Sequence, residues 1–474
     1  MRSNVLLACG AVAVAVLAAC ATSDSGGEGA PLEPVADGGS GAVDASPTDG
    51  VDGATAPDVS APASACNDDG WCATELPDAN LRLVDVWPFA DRAFAVAESN
   101  TLGTKLLEWT EAAQIWTYVD DDSQNGYGGG EYAGKMYAPS ENEVYFTTAP
   151  GLVFHGTRAS VSAPFTWEST RLPYEGPAYP DRDPGRAWRG RFTKSYATAL
   201  GVTGTSAGDV YAWYGNRIFR RTIEDGGAPA WVSEFVTEDA ASTANESFYI
   251  FNASPASSDE IWFVGAHGPT SAPNGFDGCP TLFRRTSAGY STVLNSAYSS
   301  ASCTAKPGTI QPMNKLSVPG VGVFEFPDRS RGWATAVAPV APGAVMMIIQ
   351  NTLNLYYVDA ASGIARPNSA GGGKAPSSRD PAHSVVRLED RLWFSGHGRV
   401  FGSEIKPSAW SECFGIGTPA SLTQAGTPHG ALMEETSVAM NESYLNEPLY
   451  QVRGSSLKNL WAVGNRYALH KKTP

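Results

Sequence analysis

Short apolar runs broken by polar or Gly-rich turns follow one another through most of the chain, and one phrase recurs. An acidic or polar pair is followed by an apolar residue, a Trp or Tyr, and a further short apolar run. It stands as Glu143-Val144-Tyr145-Phe146, Asp209-Val210-Tyr211-Ala212, Glu260-Ile261-Trp262-Phe263 and Asn459-Leu460-Trp461-Ala462, with looser copies at Asp85-Val86-Trp87 and Arg391-Leu392-Trp393. Each copy leads into a Gly-containing turn and a second strand in which Arg, His or Lys stands beside an apolar residue. A Trp or Tyr then opens a third strand, as in Ile218-Phe219-Arg220-Arg221 followed by Trp231-Val232-Ser233, or Val400-Phe401 followed by Trp410-Ser411-Glu412. Short strands rich in β-branched and aromatic residues, punctuated by Gly, predict antiparallel meanders. Copies roughly 45–70 residues apart predict a repeat architecture in which each repeat is one supersecondary unit.

Copies centred near residues 87, 145, 211, 262, 347, 393 and 461 predict an all-β, seven-bladed β-propeller, with the large aromatics packed between neighbouring sheets. Six or eight blades stay open as alternatives. The fifth copy, Ala344-Val345-Met346-Met347-Ile348-Ile349, has no aromatic, and residues 295–332 are either an insertion or a disguised blade. The last copy ends at Pro474 without its Trp-led third strand. Trp71-Cys72-Ala73-Thr74-Glu75-Leu76-Pro77 stands before the first copy and matches Trp167-Glu168-Ser169-Thr170-Arg171-Leu172-Pro173 of the second. Residues 71–77 are therefore predicted to complete the last blade and close the ring, removing an exposed sheet edge.

Gly70-Trp71-Cys72, Leu76-Pro77 and the apolar run into Val86-Trp87 resemble the start of propeller-repeat surface lipoproteins of Gram-negative bacteria. Trp461-Ala462-Val463-Gly464 is similar to their recurring WAVG-type blade motif. The resemblance covers residues 66–474 loosely. It implies a seven-bladed fold on the cell surface and carries over no catalytic residues.

The N-terminal segment agrees with that location. Arg2 precedes an apolar run, Val5 to Ala19, too short to span a bilayer, and Leu17-Ala18-Ala19-Cys20 follows. Residues 1–19 read as a lipoprotein signal peptide, with Cys20 as the lipidated N-terminus of an exported protein anchored in the outer membrane. Residues 21–65 hold eight acidic residues and no Lys, Arg or aromatic. With Cys20 they read as a disordered tether with a reach of roughly 35–40 Å, which leaves 66–474 as the propeller. Of the formal charge of −16, the tether holds −8 and the signal +1, so −9 remains on the propeller. That sign excludes nonspecific nucleic-acid binding. An exported chain can keep disulfides, and Cys66–Cys72 and Cys279–Cys303 are the predicted local pairs, with Cys413 left over.

Chemistry is sparse. Gly204-Thr205-Ser206-Ala207-Gly208 matches a nucleophile elbow, but it precedes a strand where other copies carry Pro139-Ser140-Glu141 and Pro255-Ala256-Ser257, so it reads as a repeat turn. The six His residues show no metal-binding spacing; His155 and His470 occupy the slot filled elsewhere by Arg and read as structural. Two segments are candidate sites. Asp121, Ser123 and Asn125, followed by Gly126, resemble the first half of a calcium loop, and calcium is the one cofactor the sequence suggests. The insertion Tyr174–Tyr196 gathers Arg186, Trp188, Arg189 and Arg191 on an otherwise acidic protein, a composition suited to ligand binding. The leading expectation is a lipid-anchored, non-catalytic propeller that binds a protein, peptide or glycan. A glycosidase or lyase on the same scaffold, or a spacer without a ligand, are the alternatives. Carboxylates clustered with Arg or His at a channel mouth would mark the enzyme; aromatics and Arg on one rim would mark the binder.

Overall fold

The computed structural model describes residues 66–125, 132–175, 188–189, 196–223, 227–237, 246–269, 278–298, 303–310, 315–318, 322–325, 332–350, 354–368, 382–404, 433–436, 445 and 447–472. Seven four-stranded antiparallel sheets succeed one another. Their innermost strands, blades 1 to 7 in order, are Arg82–Pro88, Ala133–Ser140, Leu200–Ser206, Glu246–Ser257, Trp333–Ala341, Ser384–Leu388 and Leu449–Ser456. Each contacts the next and the seventh contacts the first, so the ring is closed around a channel.

The recurring phrase is the second strand of a blade, and its spacing has a hydrogen-bonding cause. The Glu143 carboxylate accepts from the Tyr145 hydroxyl at 2.6 Å and lies 3.1 Å from His155 Nε2 on the third strand. Asp209 accepts from the Tyr211 hydroxyl at 2.8 Å and from Arg220 at 3.0 Å. Glu260 accepts from Arg284 at 2.8 Å. In blade 7 the Asn459 side-chain oxygen accepts from Trp461 Nε1 at 2.9 Å and lies 2.9 Å from His470 Nε2. The basic group also covers the ring: His155 stacks on Tyr145 at 4.2 Å, His470 on Trp461 at 4.1 Å, and Arg284 lies 5.4 Å from the Trp262 centroid. In blades 2, 3 and 7 an acceptor two residues before an aromatic, with a donor across the turn, lets a large ring enter the core with its polar edge satisfied; in blade 4 Glu260 engages Arg284 alone and Trp262 Nε1 is left without a partner. His155 and His470 are structural on this evidence.

Blade 1 departs from the expected register. Asp85-Val86-Trp87 belongs to its innermost strand, and the second strand is Arg92–Ser99, with Phe94 in the aromatic's place. Arg92 stands where blades 2, 3 and 4 carry an acid, and it pairs with Glu108 and, at 2.8 Å, with Glu141. Glu108 also takes a bidentate contact from buried Arg158 at 2.7 and 3.0 Å, joining blades 1 and 2.

The innermost strands lie outside the three-stranded pattern expected from sequence, because they share no common phrase: they range from Arg82-Leu83-Val84-Asp85 to Phe248-Tyr249-Ile250-Phe251, with small residues only where backbones meet closely. A Cβ at Gly134 would lie 2.4 Å from the Leu200 carbonyl oxygen of the next blade. Blade 5 is a full blade despite lacking an aromatic in its second strand, Ala344–Gln350. Val345, Met347 and Ile349 fill the interface against Trp262 of blade 4, whose ring does the work of the missing one. Residues 295–332 are an insertion: its described strands form two hairpins, Ser296–Tyr298 with Cys303–Ala305 and Lys315–Val318 with Gly322–Glu325. The outermost strand of blade 6 is Met433–Thr436; Trp410-Ser411-Glu412, expected in that place, lies outside the described residues.

Closure follows the expected route. Trp71–Thr74 pairs antiparallel with Ala468–Lys471 as the outermost strand of blade 7, Trp71 opposite Lys471 and Thr74 opposite Ala468. Trp71 is fully buried among Leu388, Trp393 and Val400 of blade 6 and Leu449, Val452 and Leu469 of blade 7. Thr74 Oγ1 donates to the Ala468 carbonyl and accepts from Trp116 Nε1, both at 2.8 Å, which fastens the strand to blade 1 as well. Both predicted disulfides, Cys66–Cys72 and Cys279–Cys303, are present.

Candidate functional site

Because each innermost strand runs along the axis, equivalent positions of different blades meet in the channel although hundreds of residues separate them in sequence. Asp85 of blade 1 is fully buried there. Its carboxylate accepts from the backbone N–H of Val86 at 2.9 Å and of Met136 at 3.0 Å, and both oxygens lie 3.1 Å from an Arg453 nitrogen of blade 7. Arg453 in turn lies over the Trp87 ring at 4.4 Å, and Trp87 meets the edge of Tyr137 at 5.1 Å. Lys135 of blade 2 projects into the same channel, donating to Gln451 Oε1 at 2.7 Å and the Val84 carbonyl at 3.3 Å. Burial pushes its ammonium down to about 8, with Asp85 opposing the shift. His383, just before the innermost strand of blade 6, is buried, and desolvation lowers it to about 3.

At the end of the channel where the innermost strands turn back lies an open cavity of about 470 Å³. Trp87 and Arg453 form one part of its wall, Arg387 and Glu389 another, and Pro88, Pro255, Pro339 and Leu388 supply apolar surface. Arg387 is exposed and held by backbone carbonyls, Nε to Glu389 at 3.0 Å and a terminal nitrogen to Val340 at 2.8 Å. Neutral acceptors fix its geometry, and among the described residues no ion pair engages its charge. Glu389 is the one carboxylate among the described residues lining this cavity. A pair of carboxylates flanking a glycosidic bond has no counterpart in that lining.

The sequence-predicted candidates lie elsewhere. Asp121 accepts from the Ser123 N–H and from Gln124 Nε2, each at 3.1 Å. Asn125 is turned to blade 1, its oxygen accepting from the Thr104 N–H at 2.8 Å and its amide donating to the Leu102 and Thr104 carbonyls. The neighbouring Asp120 and Asp122 pair with Lys105. Asp121 and Ser123 therefore share a turn while Asn125 serves a different one. Among the described residues no group of three or more His, Cys, Asp and Glu could hold a metal ion. Trp188–Arg189 pairs with Tyr196–Ala197 as a two-stranded ribbon, and Arg186 and Arg191 lie outside the described residues, as do Cys20 and Cys413. Ser206 ends a strand that turns directly into Asp209–Tyr214, so the elbow-like sequence is a β-turn, with Thr205 Oγ1 donating to Asp209 at 2.8 Å.

His383 and His470 carry a pH dependence. Each is neutral in the fold, and burial lowers each to about 3 from an ordinary value near 6.5. Between those values the unfolded chain binds more protons, so the stability present above pH 6.5 is lost as pH falls, by about 1.4 kcal/mol per pH unit for each histidine. Urea midpoints should drop between pH 6.5 and 5, before most carboxylates protonate. The doubly substituted His383→Gln, His470→Gln protein should show a much flatter profile over that interval. Equal slopes in both proteins would refute the assignment.

The class defined by these features is a seven-bladed β-propeller with a polar, plugged channel and a cationic, aromatic mouth. No known protein family matches the chain, and no curated protein matches it in sequence. Among solved structures it is similar to YCF48 bound to D1 peptide, with 12% identity over 87% of this chain and 100% of that one and a TM-score of 0.47. It is similar to U3-55K at 9% identity, over 86% and 100% of the two chains, with a TM-score of 0.49. The GH74 xyloglucanase from Xanthomonas campestris shares 12% identity over 84% of this chain and 52% of that one, with a TM-score of 0.43.

Proposed function

We propose that the chain is an exported, lipid-anchored propeller that binds a polypeptide at its channel mouth through a carboxylate, without catalysing a reaction. The observation that carries this reading is Arg387, a guanidinium pinned by two backbone carbonyls at the rim of a cavity that the Trp87–Arg453 pair also lines. A fixed guanidinium suits a carboxylate, and the indole with four flanking apolar residues suits the chain that bears it. The lipobox-like Cys20 and the acidic Gly/Ser/Pro-rich segment after it support anchoring in the outer membrane, and the WAVG-type resemblance supports a surface location.

An array of short synthetic peptides tests the binding. Each acidic peptide is paired with its Asn/Gln counterpart, and each is made with a free and an amidated C-terminus. Acidic members should be retained over neutral ones, and the amidated set separates side-chain from C-terminal carboxylates. Arg387→Gln should weaken the retained peptides by about tenfold or more, the scale of a lost charge-assisted hydrogen bond. Indifference to charge, or unchanged binding by Arg387→Gln, would refute the site. Mass spectrometry of the mature N-terminus tests the anchor: a lipidated Cys20 is expected, and an unmodified terminus at Ala21 would refute it.

A further inference from the structure

Below the mouth, the channel contains a second, smaller and more enclosed cavity of about 20 Å³, above the roughly 10–15 Å³ that one water-sized occupant needs. Six blades supply its lining: Lys135 from blade 2, Thr198 leading into blade 3, Phe251 from blade 4, Thr335 from blade 5, His383 leading into blade 6 and Tyr450 from blade 7. We infer that this cavity is a site for one small monovalent anion of the chloride class, held by Lys135, His383 and Thr335. The proposal is independent of what binds at the mouth.

Two observations carry it. The first is charge. Among the described residues the charges acting on Lys135 are Arg453 and one buried carboxylate, Asp85, whose two oxygens are already engaged by Arg453 and two backbone N–H groups; Arg82 and Glu447 act on Tyr450 instead. Among the described residues the partners of Lys135 are both neutral, an amide oxygen and a backbone carbonyl, which leaves one of its three N–H donors over. An ammonium removed from water is costly when its one counter-charge, Asp85, is already engaged by Arg453, and a value near 8 keeps it protonated at neutral pH. The second is orphaned polar atoms. His383 Nε2 and Thr335 Oγ1 have no hydrogen-bond partner, and each residue is only 9% exposed. An ammonium, a hydroxyl and the Nε2–H tautomer of a neutral imidazole make three donors around one space, without a carboxylate in its lining. That is an environment for an anion. A water molecule could satisfy the donors but would leave the ammonium charge unbalanced.

A bound anion would bridge blades 2, 5 and 6 at the axis, so its signature is halide-dependent stability. Thermal denaturation of the full-length protein should be compared in sodium chloride, sodium bromide and sodium gluconate at equal ionic strength. Melting temperatures should rise with halide concentration by several degrees over gluconate, as expected for a ligand that binds only the folded state. Lys135→Met removes the unbalanced charge while keeping the Asp85–Arg453 pair, and should fold and lose the halide dependence. Thr335→Val, a smaller change, should retain it at higher halide concentration. Crystals grown in bromide should show an anomalous peak in the cavity. Identical melting curves in halide and gluconate, or bromide peaks confined to the surface with only water in the cavity, would overturn the proposal.

Discussion

Deletion of residues 66–78 is expected to abolish cooperative folding of the propeller. The segment supplies the outermost strand of blade 7, and removing it exposes the edge of Ala468–Lys471 and empties the space filled by Trp71 between blades 6 and 7. Loss of a buried Trp alone costs about 3–5 kcal/mol, against the roughly 5–15 kcal/mol that holds a typical domain together. Trp71→Ala should therefore lower the urea midpoint strongly while the chain still folds, and the full deletion should leave a species without a cooperative transition. A deletion within residues 24–58, ahead of the strand, should leave the midpoint where it was. If the 66–78 deletion melts like the intact chain, Trp71–Thr74 does not close the ring.

The second large effect is expected at Asp85. Asp85→Ala would strand Arg453 and Lys135 in the channel and release the Val86 and Met136 N–H groups from their acceptor. Breaking a buried pair from one side costs about 3–5 kcal/mol, because the remaining charge stays desolvated. Arg453→Met alone should cost less, since Arg453 is partly exposed at the mouth and its loss leaves Asp85 beside Lys135. The double variant Asp85→Ala, Arg453→Met should be more stable than the sum of the single effects requires, by about 0.5–3 kcal/mol of coupling. Simple additivity in urea denaturation would show that the two groups do not act as a pair.

The parts of this fold that were legible in sequence are those in which one local stretch contains its own reason. Asp209, Tyr211 and Arg220 satisfy one another within a single hairpin, so the same spacing had to recur wherever an aromatic enters the core at that position. The closing strand was legible for the same reason: a blade lacking its outer strand and a strand lacking its blade stood at opposite ends. Blade 1 misled because Asp85-Val86-Trp87 imitates the phrase while Asp85 serves the channel and Trp87 the mouth. Innermost strands were hard to recognise as a set because each answers to its own place at the axis, so Arg82–Pro88, Glu246–Ser257 and Ser384–Leu388 share no recurring phrase. The site was illegible for a different reason. Asp85, Lys135, His383, Arg387 and Arg453 come from four blades, each blade adds only one or two of them, and nothing local to Lys135 signals Gln451, 316 residues away, as its partner. The basic loop around Trp188 and the Asp121 turn drew attention because they are compositional clusters in the chain, whereas the channel is a cluster only in space.

The closing strand also imposes an order in time. Trp71–Thr74 precedes all seven innermost strands in the chain, yet its partner, Ala468–Lys471, follows every other strand of the propeller. Until that partner arrives it is an unpaired strand carrying an exposed Trp, and contacts of such long sequence separation are the slowest to form. The Cys66–Cys72 bridge spans only six positions and can form early, holding the strand's approach in place while the other blades assemble. A ring finished in this way stays open to misjoining until residues 468–471 arrive, so a chain stalled just short of residue 468 would expose two sticky edges at once, the unpaired Trp71–Thr74 and the open side of Asn459–Gly464.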